Sequence, residues 1–353
     1  MRAGVIGAGI GGLAAAVALA RDGWEVAVLE RDDRPGGAGT ALGIWPGAMH
    51  ALDALGLGGT VRARATPQER GVFRRPDGSQ LATIDVDRLR RRTGDPVYLL
   101  SRPALLEILL DAVPAGVVRF GSPVSVDSVD ADLVVAADGI FGRTRTDLFG
   151  PAYQARYTGS TAWRGWIDGR PTGEVCETWG RGYKFGVTPQ EGGRTNWYAA
   201  GPAPEGDRRP GTERTELRRI FGGRAEPVRS VLAAVDEESI LRHDLYAVPA
   251  LPSFVSGRVA LIGDAAHAMP PDLGRGACEA IVDAVALASA LHDASTDAGS
   301  VADGLRRYDR ARRLPVQRIA RAAGFAGRLG RQRRLLWLRD TALRVGLRLP
   351  APA

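Results

Sequence analysis

The feature that most constrains this chain lies at its start. The apolar run Ala3-Gly-Val-Ile6 leads into Gly7-Ala-Gly9-Ile-Gly-Gly12. An Ala/Leu-rich stretch over residues 11–21 follows and ends at Asp22-Gly23, and a second apolar run, residues 25–30, closes on Glu30. Strand, glycine turn, helix and strand in that order predict a βαβ unit with a GxGxxG fingerprint. Gly7 permits the tight turn, Gly9 lets backbone approach a pyrophosphate, and Gly12 lets helix and strand pack closely. The helix start offers free N–H groups and the positive end of a dipole to a phosphate. Glu30 is placed to take both hydroxyls of a ribose, which disfavours a 2′-phosphate. The expected nucleotide is therefore FAD or NAD, not NADP.

Two further elements separate these. Asp132-Leu-Val-Val-Ala-Ala-Asp138-Gly139 is an apolar run ending in Asp-Gly, followed by Arg143 and Arg145. Arg258-Val-Ala-Leu-Ile-Gly263-Asp264 is another, followed by Ala-Ala-His267, Pro270-Pro271 and Leu273-Gly-Arg-Gly276. A helix is expected from Ala277 to Leu291. Doubly wound sheets bind ligands at the carboxyl ends of their strands, where Asp138 and Asp264 would sit. Asp264 can accept a hydrogen bond from a ribityl hydroxyl. Gly274, Gly276 and Ala277 open the next helix, so their N–H groups can face an electron-rich flavin edge. Either Asp alone could be a helix cap; the conjunction points to FAD.

These motifs, in this order, resemble the group A FAD-dependent monooxygenases, the aromatic hydroxylases. The likeness is strongest to the salicylate-hydroxylase-like and zeaxanthin-epoxidase-like branch and covers nearly the whole chain. The resemblance implies an α/β fold: a Rossmann-like FAD-binding domain of glutathione-reductase type, an inserted β-sheet substrate domain, and C-terminal helices. It adds to the cofactor set Arg102, which opens the expected helix Pro103–Val113 and matches an arginine on the phosphate and ribose side. It also adds Val124, beside the adenine, and Arg31, next to Glu30. Thr161-Ala-Trp-Arg164-Gly165 and Phe185-Gly-Val-Thr-Pro189 resemble substrate-domain strands. Three positions depart from the family pattern: Arg275 and Cys278, where the family often has Gln and Asn, and Gly47, where it often has Asn. The stretch between Arg102 and Asp138 is short and is expected to lack a hairpin.

The FAD domain is expected over residues 1–70, 97–152 and 245–300. The substrate domain is expected over 71–96 and 153–244, with C-terminal helices over 301–353. Strand-like runs fill the insert: Tyr157–Asp168, Glu174–Trp179, Tyr183–Thr188 and Arg194–Ala200. Trp163, Trp166, Trp179 and Trp197 fall in them. Alternate residues of these strands should face the flavin as an apolar pocket wall, so each tryptophan is either wall or sheet core. Thr212–Gly222 and Pro227–Ala234 read as helices. So do Ala302–Arg313 and Pro315–Leu347, with Pro315 at a kink or first turn. Leu335, Leu338, Ala342, Val345 and Leu349 recur at helical spacing and predict one buried face.

Charge and cysteine content exclude other classes. The 353 residues carry 47 basic and 40 acidic side chains, a net +7, with a pI of about 10.0. Fourteen arginines and two acids fall after residue 304, so the tail is net +12 and the remainder −5. A nucleic-acid or membrane-surface binder would rest on that tail alone. Two cysteines, Cys176 and Cys278, form neither a disulfide framework nor a zinc site. The glycines at 7, 9, 11 and 12 break the early apolar run, which argues against a secretory signal and for a cytoplasmic protein without a transmembrane segment.

The resemblance implies a cycle in which NADH or NADPH, bound transiently, reduces FAD. O2 then adds at the flavin C4a, and the hydroperoxide passes one oxygen to an aromatic or polycyclic small molecule, as in natural-product biosynthesis. A dehydrogenase or oxidative cyclase on the same fold is the alternative. The single lysine, Lys184, and the lack of a WxWxIP run argue against a halogenase. No nucleophile or His/Asp constellation stands out as catalytic, and His267 is expected to pack near the cofactor.

Overall fold

The computed structural model describes every residue except 38, 170–173, 209–210, 293–297 and 349–353. Its first sheet has six strands, in the spatial order Val255–Ser256, Val259–Leu261, Leu133–Ala136, Arg2–Ile6, Glu25–Leu29 and Val118–Arg119. All neighbours are parallel except the edge pair Val255–Ser256 and Val259–Leu261. Arg2–Ile6 is central, and Leu133–Ala136 is buried throughout, as a strand covered on both faces must be. Helix Ile10–Arg21 crosses over from the first strand to the second, and helix Gly276–Leu291 packs beside it. Between helix Arg102–Ala112 and Leu133–Ala136 lies one two-residue strand, so the expected short connection is present.

The second sheet has seven strands: Leu241–Ala247, Arg156–Asp168, Arg194–Pro202, Lys184–Gln190, Val175–Trp179, Gly71–Arg74 and Gln80–Ile84. It is antiparallel apart from the pairing of Val175–Thr178 with Gly71–Arg74. The strand Leu241–Ala247 runs across the boundary expected at 244/245. A third sheet joins Ala41–Ile44, Tyr98–Ser101 and Thr66–Pro67 and bridges the other two: the Asn196 Oδ1 accepts from the Ala41 N–H at 3.2 Å.

Register decides what the large sheet shows on each side. Trp163, Trp197, Phe185 and Val187 share one face and pack against Leu217, Phe221, Val228 and Val231 of helices Glu213–Phe221 and Val228–Ala234. The opposite face carries Arg164, Tyr198, Gly186 and Glu177 side by side. The tryptophan wall is therefore not formed. Trp163 and Trp197 are sheet core, Trp179 packs on Phe73 and Leu343, and Trp166 is 37% exposed beneath the Arg194 guanidinium. Trp163 and Trp197 lie on the face that must bury apolar area, whereas Trp166 and Trp179 fall on the other face with Arg164, Asn196 and Lys184.

The C-terminal region differs from expectation. A single helix, Ala298–Gly330, runs through Pro315 without stopping, and a second spans Leu336–Arg348. Burial of Leu305, Tyr308, Val316, Ile319 and Ala323 along the long helix outweighs the one hydrogen bond that proline removes. The break falls at Arg331–Leu335, where Leu335 takes φ 51°. The expected apolar stripe is not buried: Leu335, Leu338 and Val345 are exposed, and Leu349 lies outside the described residues. The buried side carries Arg339, Asp340 and Leu343 instead. Asp340 accepts from Arg75 at 3.2 Å and from Arg339 at 2.7 Å, and Arg344 Nε donates to the Leu81 carbonyl at 3.0 Å. Leu343 and Leu347 pack with Leu81 and Trp179, and these polar contacts anchor the helix beside that small apolar cluster.

Candidate active site

The expected cofactor residues fall largely along one line at the carboxyl edge of the six-stranded sheet. Gly7 takes φ +102°, and a Cβ at Gly12 would overlap the Gly7 carbonyl, so strand and helix meet only because Gly12 is bare. A Cβ at Gly9 would meet nothing, which leaves that side of the loop open. The Glu30 carboxylate accepts from the Ala8 N–H at 2.7 Å and the Asp32 N–H at 3.0 Å, tying the glycine loop to the second strand. The Ser122 N–H donates to the Glu30 carbonyl at 2.7 Å, which brings the Val124 loop to the same end. Arg31 points away into solvent, 3.9 Å from Asp32.

Asp138 stands beside Gly7. Its Oδ2 accepts from the Thr144 N–H at 3.0 Å, while its buried Oδ1 has no protein partner. Asp264 follows Gly263 at the next strand end. Its side chain is accessible yet ringed by protein: burial pushes its carboxyl above the usual range, against the pull of His267, Arg102 and Arg145. A carboxylate that is accessible yet desolvated by the groups around it is a candidate ligand-binding group. Arg102 starts helix Arg102–Ala112, which Ser101 caps through Oγ to the Ala104 N–H at 3.3 Å. Its stem packs against Gly39, and burial lowers its pKa while Asp264 opposes that. Gly276 opens helix Gly276–Leu291 close to the Asp264 carboxylate, and Gly274 lies near the Trp45 indole. Neither this helix nor Ile10–Arg21 has a side-chain cap, so both present first-turn N–H groups.

Two supports were not legible as such in the sequence. Arg145 is 1% exposed and donates to the carbonyls of Tyr153 (2.8 Å), Ile140 (2.6 Å) and Ala265 (2.8 Å), bracing the Asp138 loop against the Asp264 turn. Beneath Asp264, Asp283 accepts from the Gly263 N–H at 2.9 Å, meets His267 Nε2 at 2.6 Å and accepts from Arg312 at 2.7 Å. Burial works against a charged His267, but Asp283 outweighs it and raises the imidazole pKa; the same contact lowers that of Asp283. His267 is thus a buried strut. The available signal was two acids, Glu279 and Asp283, four residues apart in an otherwise apolar helix.

The three departures from the family pattern lie close by. Arg275 donates to Glu279 at 2.7 Å and lies 5.4 Å from the Trp45 ring. The Cys278 thiol, pushed up to about 11 by burial, donates to the Gly43 carbonyl at 3.1 Å. Gly47 is open on its Cβ side. Over the polar face of the large sheet, Tyr198 leans across Gly186 and donates to Glu177, and Lys184 Nζ donates to Asp272 at 2.7 Å.

Comparison with known proteins decides the class. Residues 111–323 match the family model described as FAD binding domain, and residues 5–54 match the NAD(P)-binding Rossmann-like domain. Aurachin C monooxygenase/isomerase of Stigmatella aurantiaca is 32% identical over 305 residues, 81% of this chain and 79% of that one. The chain belongs to the group A FAD-dependent monooxygenases. FAD-dependent urate hydroxylase of Klebsiella pneumoniae is likewise 32% identical, over 88% of this chain and 85% of its own. The crystal structure of Klebsiella pneumoniae HpxO complexed with FAD and uric acid superposes with a TM-score of 0.89 at 30% identity. It covers 99% of this chain and 92% of that chain. The monooxygenase is an oxidoreductase with FAD as its cofactor.

The residues present fit that cofactor. The glycine loop is bare on its outer side, two uncapped helix starts supply N–H donors, and an orphaned Asp138 oxygen and a desolvated Asp264 await donors such as hydroxyls. Among the described residues no cluster could hold a metal ion, and no helix is long and apolar enough to cross a membrane.

Proposed function

We propose that the enzyme uses NADH or NADPH and O2 to place one oxygen atom on an aromatic or polycyclic small molecule. Bound FAD supplies the redox chemistry, taking electrons from the nicotinamide and delivering them to O2. The protein binds, orients and dries the site. In this reading Gly7, Gly9, Gly12 and the first turn after them hold the pyrophosphate, and Glu30 takes the ribose with Arg31 and Val124 flanking the adenine. Arg102 and Asp138 line the middle of the cofactor, Asp264 takes a ribityl hydroxyl, and Gly274, Gly276 and Ala277 face the flavin edge. The division into a cofactor part (1–70, 97–152, 245–300) and a substrate part (71–96, 153–244) is part of the same proposal.

The observation that carries the substrate reading is the row Arg164, Tyr198 and Glu177. It lies between two contacts of the large sheet, Asn196 with Ala41 and Lys184 with Asp272, next to the segment that leads into Gly274–Ala277. A small molecule resting there would have the sheet as its floor and the cofactor loops as its walls. The relatives' names, a urate hydroxylase and an aurachin monooxygenase/isomerase, support a ring substrate. The test is NAD(P)H oxidation screened over phenols, indoles, quinolones and polyketide-like aromatics under isotopically labelled O2. One labelled oxygen in the product is expected. Product without oxygen gain would overturn the monooxygenase reading in favour of dehydrogenation or cyclisation.

A further inference from the structure

Arg164 sits in the middle of that floor. It is centred in strand Arg156–Asp168, directly across from Tyr198 on one side and Leu241 on the other. Side chains at i and i±2 share a face, so Arg164 points the same way as the Asn196 and Lys184 contacts that straddle its row. The other buried arginines of the molecule are spoken for. Arg145 holds backbone carbonyls, Arg224 donates to the carbonyls of Thr178 and Tyr183, Arg312 pairs with Asp283 and Glu279, and Arg242 with Glu213. Arg164 is only partly accessible, and among the described residues it has no hydrogen bond and no ion pair. Its neighbours cannot supply one. Glu177 accepts from Tyr198 and Trp179, and Asp272 accepts from Lys184, whose charge both acids support. The Tyr198 ring leans over Gly186, away from Arg164, and would be barred from doing so by any side chain at residue 186.

An arginine in a protein-lined space with no counter-ion is costly unless an anion arrives to pair it. Desolvation accordingly pushes its guanidinium pKa down. The planar fork of a guanidinium matches a carboxylate, or the oxygens of an ionised enol or phenol, through two parallel donors.

We propose that Arg164 anchors an anionic group of the substrate, so that the ring compound oxidised here is an acid ionised at neutral pH. This rests on the reading above that the polar face of the sheet is the substrate floor. Arg164 binds the anion and sets the orientation of the ring; it does not touch the transferred oxygen.

The experiment titrates the purified holoenzyme with benzoate, anthranilate and quinaldate, each paired with its methyl ester, and follows perturbation of the flavin absorbance. At least one acid should bind about tenfold or more tightly than its ester. That preference should vanish in Arg164→Gln and survive in part in Arg164→Lys, with FAD content unchanged in both. Equal affinity for acid and ester, a preference that persists in Arg164→Gln, or no flavin perturbation by any acid at millimolar concentration would each overturn it. A wild-type protein without flavin would instead refute the underlying cofactor reading, and the spectrum shows that before any titration begins.

Discussion

In the function proposed above, the two large sheets place their chemistry differently. In the parallel sheet it would sit at the strand ends: Glu30, Asp138 and Asp264 each follow or close an apolar strand, and the central strands Arg2–Ile6, Leu133–Ala136 and Val259–Leu261 are core. In the antiparallel sheet it sits on a face. The same strand that buries Trp163 on one side presents Arg164 on the other, one residue away. A strand end is visible in a one-dimensional sequence because the residue type changes there. A face is not, because alternation gives two equivalent sets until a neighbouring element selects which one is covered. Helices Glu213–Phe221 and Val228–Ala234 make that selection here.

If this contrast is right, substitutions should sort by end and by face. The largest effect is expected for Gly12→Val, because its side chain would occupy the Gly7 carbonyl. Loss of more than about 4 kcal/mol is expected, read as failure to recover folded, yellow protein. Next is Trp197→Ala on the covered face. Trp197 is fully buried and stacks on Phe185 at 5.7 Å, so about 3–5 kcal/mol should be lost on thermal or denaturant unfolding. Glu30→Ala removes a strand-end acceptor and should weaken FAD binding by about tenfold in a fluorescence titration, with little loss of fold. The smallest effect is expected for Trp166→Ala, an exposed residue under Arg194, at below about 1 kcal/mol. A Trp166 effect as large as that of Trp197 would break the assignment of faces.

Much of the fold was legible because its signals are local. GxGxxG, two Asp-terminated apolar strands and a glycine-rich helix start place most of the parallel sheet. What was not legible depends on contacts distant in sequence. The tryptophans read as either pocket wall or sheet core, because nothing local says which face the helices Glu213–Phe221 and Val228–Ala234 will cover. The tail leucines read as a buried stripe, yet Arg339 and Asp340 dock the last helix through Gly180 and Arg75, on strands and turns from elsewhere in the chain. Pro315 read as a helix boundary because the burial that carries the helix through it is tertiary. The brace by Arg145 and the Asp283 strut likewise join segments separated by 16 to 120 residues.

The central claim is that the carboxyl ends of the parallel sheet hold the cofactor. The most direct measurement is the FAD content of purified Asp264→Ala against wild type, alongside the melting temperature of both proteins after FAD is stripped. Among the described residues the Asp264 side chain makes no hydrogen bond, and its surroundings desolvate it. Its loss should therefore leave the stripped protein as stable as wild type while most of the flavin is lost. Full flavin occupancy in Asp264→Ala would contradict the account.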